Sequence, residues 1–178
     1  MKNFNGTFTV MITPFSGDGL KINFNALEKF VDWQIRQGIH GLIGLGSTGE
    51  FLSLNEEERY NVSKRIIDRT DGKVPVLIGT GAENTWDVIR YSREAELLGA
   101  DGVMIIPPFY STPTENELFN HFKKVAERFV GEETWKTLGA NRQGILTNMA
   151  YNMGEGTLGK FEKLRKAIQK GDWKEAQV

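Results

Sequence analysis

Apolar positions in the first 130 residues fall into two alternating textures. Short, nearly unbroken apolar runs occupy residues 7–13, 39–45, 74–80 and 103–106. Between them, apolar residues recur three and four positions apart: Leu27, Phe30, Val31 and Ile35; then Val88, Tyr91, Ala95 and Leu98; then Leu118, Phe122, Val125 and Phe129. Runs without polar alternation predict parallel strands covered on both faces, and the wider spacing predicts helices with one buried face. Helix starts are marked by Asn23, by Asn55 with Glu58, by Asn84 with Asp87 and by Thr114 with Glu117, where a side-chain oxygen can accept orphan amides of the first turn. Gly38 and Gly99 stop the first and third helices. Four strand–helix units with short connections predict right-handed crossovers and a parallel sheet, an α/β fold.

The texture changes near Phe129. No β-rich run follows Gly131; residues 132–152 read as one helix carrying Leu138, Ile145, Leu146 and Met149, with Met153 just beyond. Gly154-Glu155-Gly156 breaks it, residues 157–170 read as a second helix with Leu158, Phe161, Leu164 and Ile168, and Gly171-Asp172 opens a third. The expected domains are residues 1–130 and 131–178. A short internal echo runs through the first of them. Gly38-Ile39-His40-Gly41-Leu42 returns as Gly99-Ala100-Asp101-Gly102-Val103, 61 residues later. Shared joint chemistry and ancestral duplication of a two-unit module both account for it.

A chain of 178 residues, 39% hydrophobic, is enough for one domain or one and a half with a real core. The net charge of −1 argues against nucleic acid as the main partner. No apolar run approaches the ~18 residues of a membrane-spanning helix, so no membrane partner is expected. Cysteine is absent, which excludes disulfides and thiol chemistry and fits a cytoplasmic location. Met1-Lys2-Asn3-Phe4 leads straight towards the first strand, so no signal peptide is expected. No cofactor and no metal are expected.

The second strand runs into Gly46-Ser47-Thr48-Gly49-Glu50, at the strand edge where α/β proteins bind ligands. Flanking glycines admit a ligand close to the backbone. Two hydroxyls and the neighbouring amides can hold a carboxylate. The same hydroxyls could instead cap the turn into the next helix.

Residues 4–128 resemble the N-terminal half of the dihydrodipicolinate synthase / N-acetylneuraminate lyase family. The matching stretches are Gly6-Thr7-Phe8-Thr9-Val10-Met11-Ile12-Thr13-Pro14-Phe15, the Gly46–Glu50 loop, Leu77-Ile78-Gly79-Thr80-Gly81, and Pro107-Pro108-Phe109-Tyr110 followed by Pro113-Thr114. The resemblance implies half of a TIM barrel, a parallel (βα)4 arrangement, followed by two or three C-terminal helices. It also implies Schiff-base aldolase or lyase chemistry on a 2-keto acid such as pyruvate. Ser47 and Thr48 take the role of binding the carboxylate. Ser47 and Tyr110 take the positions of a hydroxyl proton relay, and the matching tyrosine typically reaches a neighbouring subunit, so self-association is expected.

The family's Schiff-base lysine lies beyond the point where the resemblance stops. A nucleophilic lysine must project from the C-terminal end of a strand into a dry pocket. Lys73 precedes its strand, and Lys29, Lys64, Lys123 and Lys124 fall on outward helix faces. Glu50 reads as a tie for its loop. His40 and His121 read as structural or solvated groups, and Trp33, Trp86, Trp135 and Trp173 as packing groups on helices.

Residues 131–178 carry a different likeness. Trp135-Lys136-Thr137-Leu138, Asn141-Arg142-Gln143, the 146–154 stretch, Phe161 and Gly171-Asp172-Trp173 resemble the C-terminal helical lobe of phage-type lysozymes. Tyr151-Asn152, Lys166-Ala167 and Gly171-Asp172 also echo a late stretch of the lyase family. Glycoside cleavage needs two carboxylates at a set separation, and no such pair is identifiable. Three readings stand: an incomplete 2-keto-acid lyase, a lysozyme remnant, and an inactive chimera or designed scaffold whose extra helices act as a lid.

Overall fold

A computed structural model describes residues 4–19, 21–153, 166 and 168–171. The four predicted strands form, each shorter than its apolar run: β1 (Phe8–Val10), β2 (Gly41–Gly44), β3 (Val76–Gly79) and β4 (Gly102–Met104). They alternate with α1 (Phe24–Arg36), α2 (Glu56–Thr70), α3 (Thr85–Leu98) and α4 (Glu115–Val130). The sheet order is β1-β2-β3-β4. β1 runs parallel to β2, with Phe8 opposite Gly41, and β2 runs parallel to β3, with Leu42 opposite Val76. This is the first half of a TIM barrel, and further helices follow it.

The caps read from the sequence are the caps that form. The Asn23 side chain accepts the Ala26 amide at 3.0 Å. Asn55 with Glu58 and Thr114 with Glu117 make complete capping boxes, each satisfying two orphan amides. Asn84 accepts the Asp87 amide at 2.9 Å. Gly38 (φ 81°) and Gly99 (φ 90°) end their helices in the left-handed region that favours glycine.

The repeated joint has matching geometry as well as matching letters. The His40 amide donates to Thr7 O (3.0 Å), and His40 Nδ1 accepts the Thr7 amide (3.0 Å). The Asp101 amide donates to Val76 O (2.7 Å), and Asp101 Oδ2 accepts the Val76 amide (2.9 Å). In each case the residue two after the glycine grips the start of the preceding strand with both main chain and side chain.

The chain divides into two compact units. The first comprises the described residues of Met1–Gly79 and Glu94–Asp101. Its core is Leu27, Val31, Leu42, Val62, Ile66, Val76 and Ile78, all buried. Ion pairs Arg65–Glu28 (2.5 Å) and Arg69–Asp32 cross from α2 to α1 outside that core. Exposed pairs of this kind contribute under about 1 kcal/mol each, so packing dominates.

The second unit comprises the described residues of Thr80–Arg93 and Gly102–Val178. Its core joins Val88 and Ile89 of α3 and Val125, Ala126 and Val130 of α4 to Trp135, Leu138, Leu146 and Ile168. The described residues after 131 thus pack on α4 through Trp135, Leu138, Leu146 and Ile168. Here the sequence expectation needs two corrections. Residues 132–152 are not one helix but two, α5 (Glu132–Thr137) and α6 (Ala140–Met153). The break falls at Leu138, whose backbone is extended, and at Gly139, a poor helix former. It also alters which side chains turn inward. Leu138 and Leu146 are buried, whereas Ile145 is 60% exposed. The expected helix over 157–170 and the third helix lie mainly outside the described residues, as does Trp173.

Of the other tryptophans only Trp135 is buried. Trp33 (48% exposed) stacks on Phe30, and Trp86 (66% exposed) lies beneath the Lys124 ammonium at 5.4 Å. Both lie at helix surfaces rather than in a core.

Candidate functional site

β2 ends at Gly44, and the chain turns at once. Leu45 adopts φ 56° although it is buried and carries a branched side chain. Single left-handed residues of this type cost of order 1 kcal/mol and persist where the surroundings impose them. What imposes this one is close packing. A Cβ on Gly79 would fall 2.0 Å from Leu45 O, so only glycine lets β3 pass beside the turn.

A 3-10 turn, Ser47–Gly49, follows Gly46; Glu50 (φ 55°) reverses direction and a second such turn, Phe51–Ser53, leads into α2. Buried Phe51 and Leu54 pin the far end. The Thr13 hydroxyl donates to Gly49 O at 2.7 Å from below, in a buried position. Arg59 lies under the second turn, its guanidinium 5.2 Å from the Phe51 ring centre.

Ser47 and Thr48 are thereby presented, exposed, on a loop fixed from beneath. The amides of Gly49 and Glu50 are used inside the turn, by Gly46 O and Ser47 O, at 2.9 and 3.0 Å. The first amides of such a turn have no acceptor within it. The α2 cap is the Asn55 side chain, so the turn hydroxyls are not the cap of that helix. Glu50 is exposed, and its left-handed backbone forms the reversal between the two turns.

Tyr110 belongs to the second unit, in the loop after β4, and is 93% exposed. The Glu83 carboxylate holds that loop: its Oε1 accepts the Phe109 amide (3.2 Å) and the Tyr110 amide (2.8 Å). Glu83 stands in the loop after β3. Behind it, the Thr80 amide donates to Met104 O (3.1 Å), and the Thr80 and Ser92 hydroxyls meet at 3.0 Å, both buried. The structure therefore puts Ser47 and Thr48 together in one turn and Tyr110 in the other unit.

His121, only 4% exposed, bonds through Nδ1 to the Thr85 hydroxyl at 3.0 Å and meets the Phe122 ring edge-on. Its Nε2 is buried without a hydrogen-bond partner among the described residues, and burial pushes its pKa down. His40 is a joint residue, as shown above. Both histidines are structural.

Lys21 is the one lysine in the loops that follow the four strands; it stands three residues before α1 and is exposed. Every described lysine is exposed except Lys123, which is half-buried on α4. None has the dry surroundings that would lower an amine's pKa into a nucleophilic range.

Sequence reading missed Glu83, Thr13 and the contact made by Gly79. Glu83 looks like a surface residue before a helix cap, and Thr13 like the end of a strand. Their partners lie 26 to 36 residues away, beyond any local pattern. A local hint is Pro107-Pro108, which leaves Phe109 and Tyr110 as the next main-chain donors after Ile106.

Residues 3–130 match the dihydrodipicolinate synthetase family. A 4-hydroxy-tetrahydrodipicolinate synthase of Kosmotoga olearia is 40% identical over 128 residues, 72% of this chain and 43% of the relative. Among solved structures, a dihydrodipicolinate synthase of Acinetobacter baumannii complexed with pyruvate is similar at 36% identity with a TM-score of 0.68, over 70% of this chain and 43% of that one. An N-acetylneuraminate lyase of Mycoplasma synoviae is similar at 29% identity with a TM-score of 0.66, over the same shares. The chain thus spans under half the length of each of these relatives.

Proposed function

The chain belongs to the dihydrodipicolinate synthetase family, and on that premise we propose that its Ser47–Thr48 turn binds the carboxylate of a 2-keto acid such as pyruvate. The observation that carries this reading is the turn itself: two exposed hydroxyls on a loop immobilised from below, with helix capping done elsewhere by Asn55. The Acinetobacter baumannii relative complexed with pyruvate supports the ligand class.

A Schiff base forms when a neutral amine adds to the ketone carbon and water leaves. The described lysines are unsuited to that step: all are exposed, Lys21 in the loop after β1 included, except Lys123, which is half-buried on a helix. The proposed activity is therefore recognition of the keto acid without covalent capture by a described lysine. Tyr110 supplies the relay hydroxyl at its own loop, and its exposure suits it to a neighbouring copy of the chain, which makes self-association part of the reading. The described residues after 131 act as a cover for α4, whatever the lineage of that segment, lysozyme-like or lyase-like; the Val125–Trp135–Leu146 packing supports that role.

The test is a pyruvate titration followed by amide NMR, with borohydride trapping in parallel. Pyruvate should shift the Ser47–Glu50 amides, Ser47→Ala with Thr48→Val should abolish the shift, and no mass adduct should form. Binding undiminished in the double variant would defeat the carboxylate assignment. A reduced lysine adduct would defeat the claim of non-covalent recognition. Clearing of a bacterial cell-wall suspension would revive the lysozyme reading, and a folded protein inert in all three assays would leave the scaffold.

A further inference from the structure

We propose that Glu83 is a positioning residue for Tyr110, acting as a carboxylate clasp on the main chain of the tyrosine's loop; this rests on the relay role proposed for Tyr110. The chemistry of the loop creates the need. Pro107 and Pro108 have no amide hydrogens, so beyond Ile106 the next main-chain donors are Phe109 and Tyr110. Both of those amides go to one oxygen, Glu83 Oε1, at 3.2 and 2.8 Å. An ionised acceptor makes such bonds roughly twice as strong as neutral ones.

The clasp is itself mounted on fixed elements. Asn84, the next residue, accepts the Asp87 amide at the start of α3, and its Nδ2 donates to Asp87 Oδ2 at 2.5 Å. Two residues before Glu83, Gly81 lies so close to Ile106 that a Cβ would fall 2.5 Å from the isoleucine Cγ1. Thr80 N–H donates to Met104 O. The two loops are therefore joined at three successive levels: main chain at Thr80, van der Waals contact at Gly81, carboxylate at Glu83. The Thr114–Glu117 capping box fixes the chain again beyond the tyrosine. Tyr110 itself, 93% exposed, is not held by burial of its ring. Its direction is set by its backbone, and Glu83 sets the backbone.

Amide hydrogen exchange by NMR, on the whole chain, tests this with Glu83→Ala and Glu83→Gln. Exchange at Phe109 and Tyr110 should accelerate about tenfold or more in Glu83→Ala, the loss of a charge-assisted bond. Glutamine keeps an acceptor oxygen and should restore most of the protection, a rescue that mere loss of surface charge would not show. The Tyr110 ring signals should broaden or shift in the alanine variant, while the amides of Glu58 and Glu117, held by their own caps, stay as they were. Unchanged protection in Glu83→Ala, or equal loss in both variants, would overturn the clasp. Wild-type protein that fails to bind pyruvate yet shows the predicted exchange pattern would sink the functional reading and leave the clasp standing.

Discussion

In the loop after β2, the hydroxyls of Ser47 and Thr48 stand on a backbone wedged between neighbours: Leu45 O passes where a Gly79 Cβ would be, and Thr13 holds Gly49 from below. In the loop after β4, Tyr110 stands on a backbone held by one carboxylate, with Glu83 accepting two amides at its exposed surface. Packing contacts are short-ranged and nearly all-or-none, because protein interiors are close-packed. A surface carboxylate–amide contact is competed by water and can open. The difference suits the roles proposed above: a turn presenting a fixed pair of hydroxyls, and a tyrosine whose loop is directed by one carboxylate.

The contrast can be broken most sharply at the end of β3. Gly79→Ala would drive a methyl into the Leu45 carbonyl, which is backbone and has nowhere to go. We expect a loss of about 3 kcal/mol or more, read as a lowered denaturation midpoint. A shift worth less than about 1 kcal/mol would show that packing does not lock this turn. Gly81→Ala is the matched control, since its methyl would meet the Ile106 side chain, which can rotate away. That variant should cost about 1–2 kcal/mol. A penalty equal to that of Gly79→Ala would erase the distinction.

Thr13→Val removes the bond to Gly49 O at nearly constant volume and leaves a buried carbonyl unsatisfied. Its expected cost is about 1 kcal/mol. Pyruvate binding at Ser47–Thr48 should weaken with it, and a stability cost without any change in the loop amides would argue that Thr13 supports the core rather than the turn.

The last expectation concerns the second unit. Burial holds the His121 imidazole below the ordinary histidine value of 6.5. The native state then binds fewer protons than the unfolded chain near that pH. The stability tied to a neutral His121 is complete above pH 6.5 and is lost as the pH falls below it, towards the lowered native value. Denaturation midpoints between pH 7.5 and 5.5 should show the decline, and His121→Gln should flatten it. A parallel decline in the variant would assign the effect to other groups.

Much of this fold was legible because its signals are local. Asn23, Asn55, Asn84 and Thr114 begin helices by bonding amides two or three residues away, and Gly38 and Gly99 end them by accepting a left-handed backbone. The break at Leu138–Gly139 was not legible. A continuous helix and a kinked pair share the same apolar spacing, and burial of Leu146 in place of Ile145 depends on where α4 lies. The candidate site divided in the same way. The proposals for Ser47, Thr48 and Tyr110 came from motif and resemblance, while Glu83 and Thr13 were invisible because nothing in their neighbourhoods distinguishes them.

By itself, then, the sequence determined the order of strands and helices, their caps and the family, since each is a matter of residue identity within a turn or two. Only tertiary structure decided that Gly79 must be glycine, that Glu83 holds the loop of Tyr110, and that Trp135, Leu138 and Leu146 pack on α4. Those facts are contacts between positions distant in the chain, and a contact has no existence until folding brings both partners to one place.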